Sequence, residues 1–201
     1  SLFIDMKEIA QIRKLSLWIF FVPLITVHLC LIVSINYHLF ENTIFVVDQI
    51  GRSGFSIPYI DGSLSISRAS RTYPQFLIFK PGMLLTAVLL FFYWKKNNLL
   101  VNEFKKTHDK KNSFMIFGVL SALFLIIHSM LLGIETDIKF FKFLRRVVLL
   151  SFIIFEIIAQ SLLVVNFLKL KIIIGELTNR FVLKSKIILV SVLIFVALVS
   201  V

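Results

Sequence analysis

The chain has one cysteine, Cys30, set inside an apolar block. No internal disulfide can form, so a disulfide-stapled fold is excluded. Acidic residues are also scarce: 11 Asp and Glu stand against 22 Lys and Arg, a net charge of +11. In a soluble chain that excess would point to nucleic acid. Here the positive residues flank apolar blocks, so they read as topology signals and contacts for anionic lipid headgroups, with no nucleic-acid partner. No G-x-S-x-G elbow, H-E-x-x-H or Walker motif occurs, and the scattered histidines have no metal-ligand spacing. No cofactor is expected. There is no internal repeat and no low-complexity segment. The first apolar block is too long for a signal peptide and lacks a small-residue cleavage site, so it reads as a retained span.

What the chain has is hydrocarbon. Hydrophobic residues make up 58% of 201, and the mean hydropathy is +0.93. Soluble domains are about 45–50% apolar. The excess lies in long blocks, the signature of membrane spans. The fold class is therefore all-α: a polytopic transmembrane helix bundle forming a single domain over 1–201. Five spans are expected, at about 15–35, 76–94, 113–134, 147–168 and 181–201. The first alone, at about 1.5 Å per residue, crosses a roughly 30 Å core. Tyr93 and Trp94 are expected as interfacial anchors at the end of the second span. Residues 1–14 form a short amphipathic segment at the interface or a flexible tail. The last apolar run either ends at the far interface or is followed by a sixth span.

Residues 36–75 form the one long loop. Gly51, Gly54, Pro58, Gly62 and Pro74 punctuate it. Its Ile and Tyr residues suffice to pack it into an ordered structure, with a short helix or strand around residues 44–50. Fourteen Lys and Arg fall at one end of the expected spans and seven at the other. That bias gives a multi-pass protein with a cytoplasmic N-terminus and the 36–75 loop outside or lumenal.

Ionisable groups inside spans are costly, roughly 2.5–3.5 kcal/mol each on insertion scales, so they are candidates for function. They are His28, Lys80, His128 and Glu156, with Gln160 beside them. Glu156 and Gln160 are four residues apart and share a helix face. Lys80 is the best available partner for Glu156, with His28 or His128 next. The plainer reading is interhelical hydrogen bonding. Lys80-Pro81-Gly82 reads either as a break early in the span or as a helix that starts at Pro81. Gly118 and Ala122 make a small-xxx-small pair.

The loop brings Asp61, Ser65, Ser67, Arg68 and Arg71 towards Lys80. Two arginines with hydroxyls alongside suit a phosphate or carboxylate. The expected ligand is a membrane lipid with an anionic headgroup, held by Arg68, Arg71 and Lys80, with Asp61 and the serines orienting the loop. The protein would recognise, organise or remodel that lipid. Three other readings stand beside it: a lipid-modifying intramembrane enzyme with a histidine or Glu156 as base, a transporter or channel, and a packing partner without a ligand.

The run Pro58-Tyr59-Ile60-Asp61-Gly62, with Ser65-Ile66-Ser67, Ala69, Arg71 and Pro74, leads into Ile78-Phe79-Lys80 and Met83. It resembles the loop and second span of the Frag1/DRAM/Sfk1 family of multi-span membrane proteins. The match covers the loop and second span; the later spans agree in hydropathy alone. The resemblance implies a role in lipid organisation or remodelling at membranes, and one span more than the five visible here. Asp61-Gly62 and the SISRASR run depart from better-known relatives and fit a divergent, bacterial branch. A role on GPI anchors, known in eukaryotic relatives, is therefore not implied.

Overall fold

The computed structural model describes residues 2–40, 42–45, 69–106, 112–132, 134, 139–170 and 180–199. Asp61, Ser65, Ser67 and Arg68 lie outside these residues, as does most of the expected ordered loop. The described chain is helical. Helix α1 covers Leu2–Ile35, α2 Phe76–Phe104, α3 Ser113–Leu131, α4 Lys139–Lys169 and α5 Arg180–Val199, with a short 3-10 turn at Tyr37–Phe40. Four helical stretches, Lys7–Ile35, Phe76–Phe104, Ser113–Leu131 and Lys139–Lys169, are long and apolar enough to cross a membrane. Helix α5 has 20 residues and carries Lys184 and Lys186 in its first turns.

Several expected boundaries move outward. The N-terminal segment joins the first span as one helix of 34 residues, because no proline or glycine interrupts it before Pro23. Helix α2 starts at Phe76 and continues past Trp94 to Phe104, so Pro81 lies inside it. A left-handed residue, Lys106 (φ 51°), follows the last turn, a common way to end a helix. The expected connection at 135–146 is shorter, since its last eight residues open α4.

Burial runs opposite to that of a soluble protein. Along α1, Leu17, Trp18, Phe20, Ile25 and Ile32 are all exposed. Inside lie Thr26, Ser34, Ser70, Gln75, Asn97, Asn98, Asn102, Ser121 and His128. Apolar surface faces outward and polar side chains pair inward, as expected where hydrocarbon replaces water. This is an integral membrane protein.

The helices contribute to two compact units. One comprises Ser1–Ser16, Leu90–Phe124 and Leu149–Val201; the other comprises Leu17–Leu89 and Leu125–Val148. In the first unit, Trp94 and Phe114 are fully buried, with ring centroids 6.2 Å apart. Trp94 is thus a core residue, and the interfacial role expected from the sequence does not hold. Gly118 admits its indole: a Cβ there would overlap the Trp94 ring. In the second unit, Gly82 stands against the side chain of Thr26 in the same way, so Pro81-Gly82 serves close helix packing within a continuous helix.

The second unit also ties down both ends of the long loop. Tyr73 Oη donates to the Ile44 carbonyl at 3.1 Å. The Gln75 side chain is fully buried. With its amide nitrogen turned to the Thr72 and Tyr73 carbonyls (3.2 and 2.8 Å), its oxygen accepts from Ser34 Oγ at 2.9 Å. Cys30 Sγ donates to the Gln75 main-chain carbonyl at 3.5 Å.

Gly118→Ala is expected to destabilise the protein by about 1–3 kcal/mol, since a fully packed indole has nowhere to retreat. Thermal unfolding in detergent measures this. An unchanged midpoint would show that the ring can yield.

Candidate functional site

Two polar clusters stand out, one in each unit. In the second unit, the segment before α2 supplies Arg71 and the start of α4 supplies Arg145 and Arg146. Arg145 lies close enough to both for their positive charges to act on its own. Each is a cation with five donors in a fixed fork. Arg71 and Arg145 are half-buried and Arg146 is exposed. Three guanidinium groups close enough to repel form a field that attracts anions.

His128, in the last turn of α3, completes this cluster. It is 8% exposed. Arg145 is the charged neighbour that acts on its imidazole. Its Nδ1 atom is buried with no partner. Lys80 and His28 also belong to this unit. Lys80 is half-buried, with Nζ 5.2 Å from the centroid of the Phe76 ring one turn earlier. His28 lies on the exposed side of α1, its Nδ1 2.7 Å from the Leu24 carbonyl.

The first unit holds the other cluster. Glu156 Oε2 accepts from Ser121 Oγ at 2.6 Å and from Trp94 Nε1 at 3.3 Å. Glu156 Oε1 accepts from Gln160 Nε2 at 2.9 Å, as the shared helix face predicts. The cation whose charge acts on Glu156 is Lys186 of α5. Lys186 Nζ donates to Tyr93 Oη at 3.2 Å and lies about 6 Å from the Tyr93 and Phe167 ring centroids. The expected Lys80–Glu156 pair is therefore absent among the described residues, and each group has its own partners within its own unit.

A set of amides lies in the same unit. Asn98 Oδ1 accepts from Asn112 N and Nδ2 (3.0 and 2.9 Å), and Asn112 Nδ2 also donates to Asn102 Oδ1 at 2.8 Å. Lys105 Nζ donates to Asn112 Oδ1 at 3.2 Å and Asn166 Oδ1 at 2.5 Å. These bonds join the end of α2 to the start of α3 and the last turns of α4. Lys96 Nζ pairs with Glu8 Oε1 at 2.9 Å. Among the described residues, no three of His, Cys, Asp or Glu converge as metal ligands.

Of the residues singled out in the sequence, Arg71, Lys80, His28 and His128 share one unit, while Glu156 and Gln160 sit in the other. Sequence reasoning missed Arg145 and Arg146, which looked like ordinary charges of a connection. The signal was there: four basic residues, Lys139, Lys142, Arg145 and Arg146, fall on the side of the expected spans where positive charge is otherwise sparse. No family model, curated protein or solved structure matches this chain.

Glu156→Leu is expected to orphan the Trp94 and Gln160 donors, at about 1–3 kcal/mol for each buried group left unpaired. Ser121 keeps an acceptor in the Gly118 carbonyl at 2.8 Å. Glu156→Gln retains an acceptor oxygen and should lose clearly less. Equal losses in thermal unfolding would mean that volume, rather than hydrogen bonding, sets the role of Glu156.

Proposed function

We propose that this membrane protein recognises a lipid through an anionic headgroup and helps to organise or remodel it. Arg71, Arg145 and Arg146 hold the phosphate, and Lys80 adds charge on the same unit. Asp61, Ser65, Ser67 and Arg68 precede Arg71 in the chain and would contribute to the same site. The single observation that carries this reading is that Arg71, Arg145 and Arg146, from two separate segments, belong to one unit, with Arg145 within reach of the charge of the other two. Two guanidinium groups from separate segments repel each other. A phosphate between them converts that repulsion into charge-assisted, bidentate hydrogen bonding.

The resemblance of the loop and second span to the Frag1/DRAM/Sfk1 family supports the same reading. The charge bias favours a cytoplasmic N-terminus, which puts this site on the outer or lumenal side. Glu156 supports structure in this reading, because every donor around it is already engaged.

Native mass spectrometry of the detergent-purified protein tests the proposal. Wild type should retain an anionic phospholipid. Arg71→Gln/Arg145→Gln should retain it about tenfold less or worse, given the ~1.5–3 kcal/mol of a hydrogen bond to a charged group. The same unselective lipid mixture on both proteins would sink the headgroup site.

A further inference from the structure

We infer that one end of the first unit gathers acidic phospholipids around the protein by charge alone, whatever their headgroup. The inference is independent of the headgroup site in the other unit.

Side-chain bonds show which element ends meet in the first unit. Lys96 Nζ of α2 pairs with Glu8 Oε1 of α1 at 2.9 Å. Lys186 Nζ, near the start of α5, donates to Tyr93 Oη of α2 at 3.2 Å. Lys105 Nζ, just past α2, donates to Asn112 Oδ1 before α3 and to Asn166 Oδ1 in the last turn of α4. The starts of α1, α3 and α5 therefore lie with the ends of α2 and α4.

These ends are cationic. Among the described residues of the unit, eleven Lys and Arg stand against four Asp and Glu. Of the acids, Glu8 is held by Lys96, and Glu156 is hydrogen-bonded by three side chains. Arg13 and Lys14 on α1, Lys95 on α2, Lys106 just past it, Lys169 closing α4 and Lys184 near the start of α5 are all exposed. None of these six is ion-paired among the described residues. Topology requires only that such charges stay untranslocated. Once in place, unpaired like charges at one end of a unit make a field that collects anions.

Their neighbours decide which anions. Phe91, Phe92 and Leu99, each about one turn from Lys95, are exposed, as are Val165 one turn before Lys169 and Ile188 one turn after Lys184. In a membrane protein such side chains meet acyl chains, so the ammonium groups beside them reach up among the headgroups of the same leaflet. A soluble acidic protein or a nucleic acid would have to push through those headgroups to touch Lys95 or Lys184. The leaflet itself is the occupant. Five of the six cations are lysines, compact point charges without the planar fork that selects a headgroup shape. The preference therefore follows lipid charge.

Electron spin resonance of chain-labelled phospholipids tests this on the full-length protein in phosphatidylcholine bilayers, because lipid against the protein is motionally restricted. At low salt, wild type should favour phosphatidylglycerol and phosphatidylserine equally, each about threefold over phosphatidylcholine. That is the roughly fivefold effect of one cation at the surface, averaged with lipid positions away from the cations. At 1 M salt, where the Debye length is about 3 Å, the ratio should fall close to one, a result that needs no variant. Lys95→Gln/Lys169→Gln/Lys184→Gln should remove more than half of the excess at low salt. Arg71→Gln/Arg145→Gln should leave it almost intact. A wild-type ratio near one, a ratio that survives 1 M salt, or one unchanged in the triple lysine variant would overturn the inference. A marked preference between the two acidic lipids would overturn selection by charge alone. An equal loss in the double arginine variant would assign the excess to the headgroup site instead. Tight binding of a polyglutamate peptide to the protein in phosphatidylcholine nanodiscs, without preference among the labelled lipids, would assign the cations to a soluble acidic partner and overturn the leaflet as occupant.

Discussion

Polar atoms inside the described part of this protein depend on partners within the chain, because the outward face of its helices is hydrocarbon. That constraint shapes what is buried. Thr26 and Ser161 return their hydroxyls to carbonyls four residues back, at 2.7 Å each. Asn97 and Asn166 do the same with their amides at 2.8 Å. Gln75, Asn98, Asn102 and Asn112 bond across segments instead. A helix bundle in lipid gains little from burying one apolar face against another, so packing and hydrogen bonds decide which helices meet. Gly118 against Trp94 and Gly82 against Thr26 supply the packing, by letting a ring or a hydroxyl approach the backbone.

The same constraint separates the two clusters by purpose. Glu156 is a costly group to place midway along a span, yet three donors and a nearby lysine surround it. Its environment is complete, and removing the carboxylate would create the problem that its partners now solve. The other unit holds the basic groups Arg71, Arg145 and Arg146, and His128 keeps a buried Nδ1 without a hydrogen-bond partner. A satisfied polar cluster specifies a fold.

Much of the architecture was legible in the sequence, since long apolar runs allow little except helices in a membrane. Boundaries were less legible, for a local reason. Lys95, Lys96 and Asn97 look like the start of a loop by hydropathy, but nothing in them breaks a helix, and Asn97 is buried with its amide on the Tyr93 carbonyl. Trp94 misled in the same way: an indole beside lysines suggests an interface, whereas its N–H was needed by a carboxylate 62 positions later. Of the site, Gln160 beside Glu156 followed from helical spacing. That Arg71 and His128 share one unit was not legible from spacing, since they belong to different segments. Arg145 could be assigned only once three dimensions showed which charge it faced, because a basic residue near a span end has an ordinary explanation in topology alone.

That ordinary explanation fits residues 139–146 poorly under the expected orientation. Basic residues concentrate on the cytoplasmic side of membrane proteins because they resist translocation. Under the orientation that the overall bias favours, Lys139, Lys142, Arg145 and Arg146 lie on the opposite side, where each weakens the topology signal. All four lie within the first two turns of α4, so the basic charge is concentrated at one helix end. In the proposed reading a phosphate headgroup would supply countercharge at the membrane surface, and arginine, with its planar fork, suits that role better than lysine.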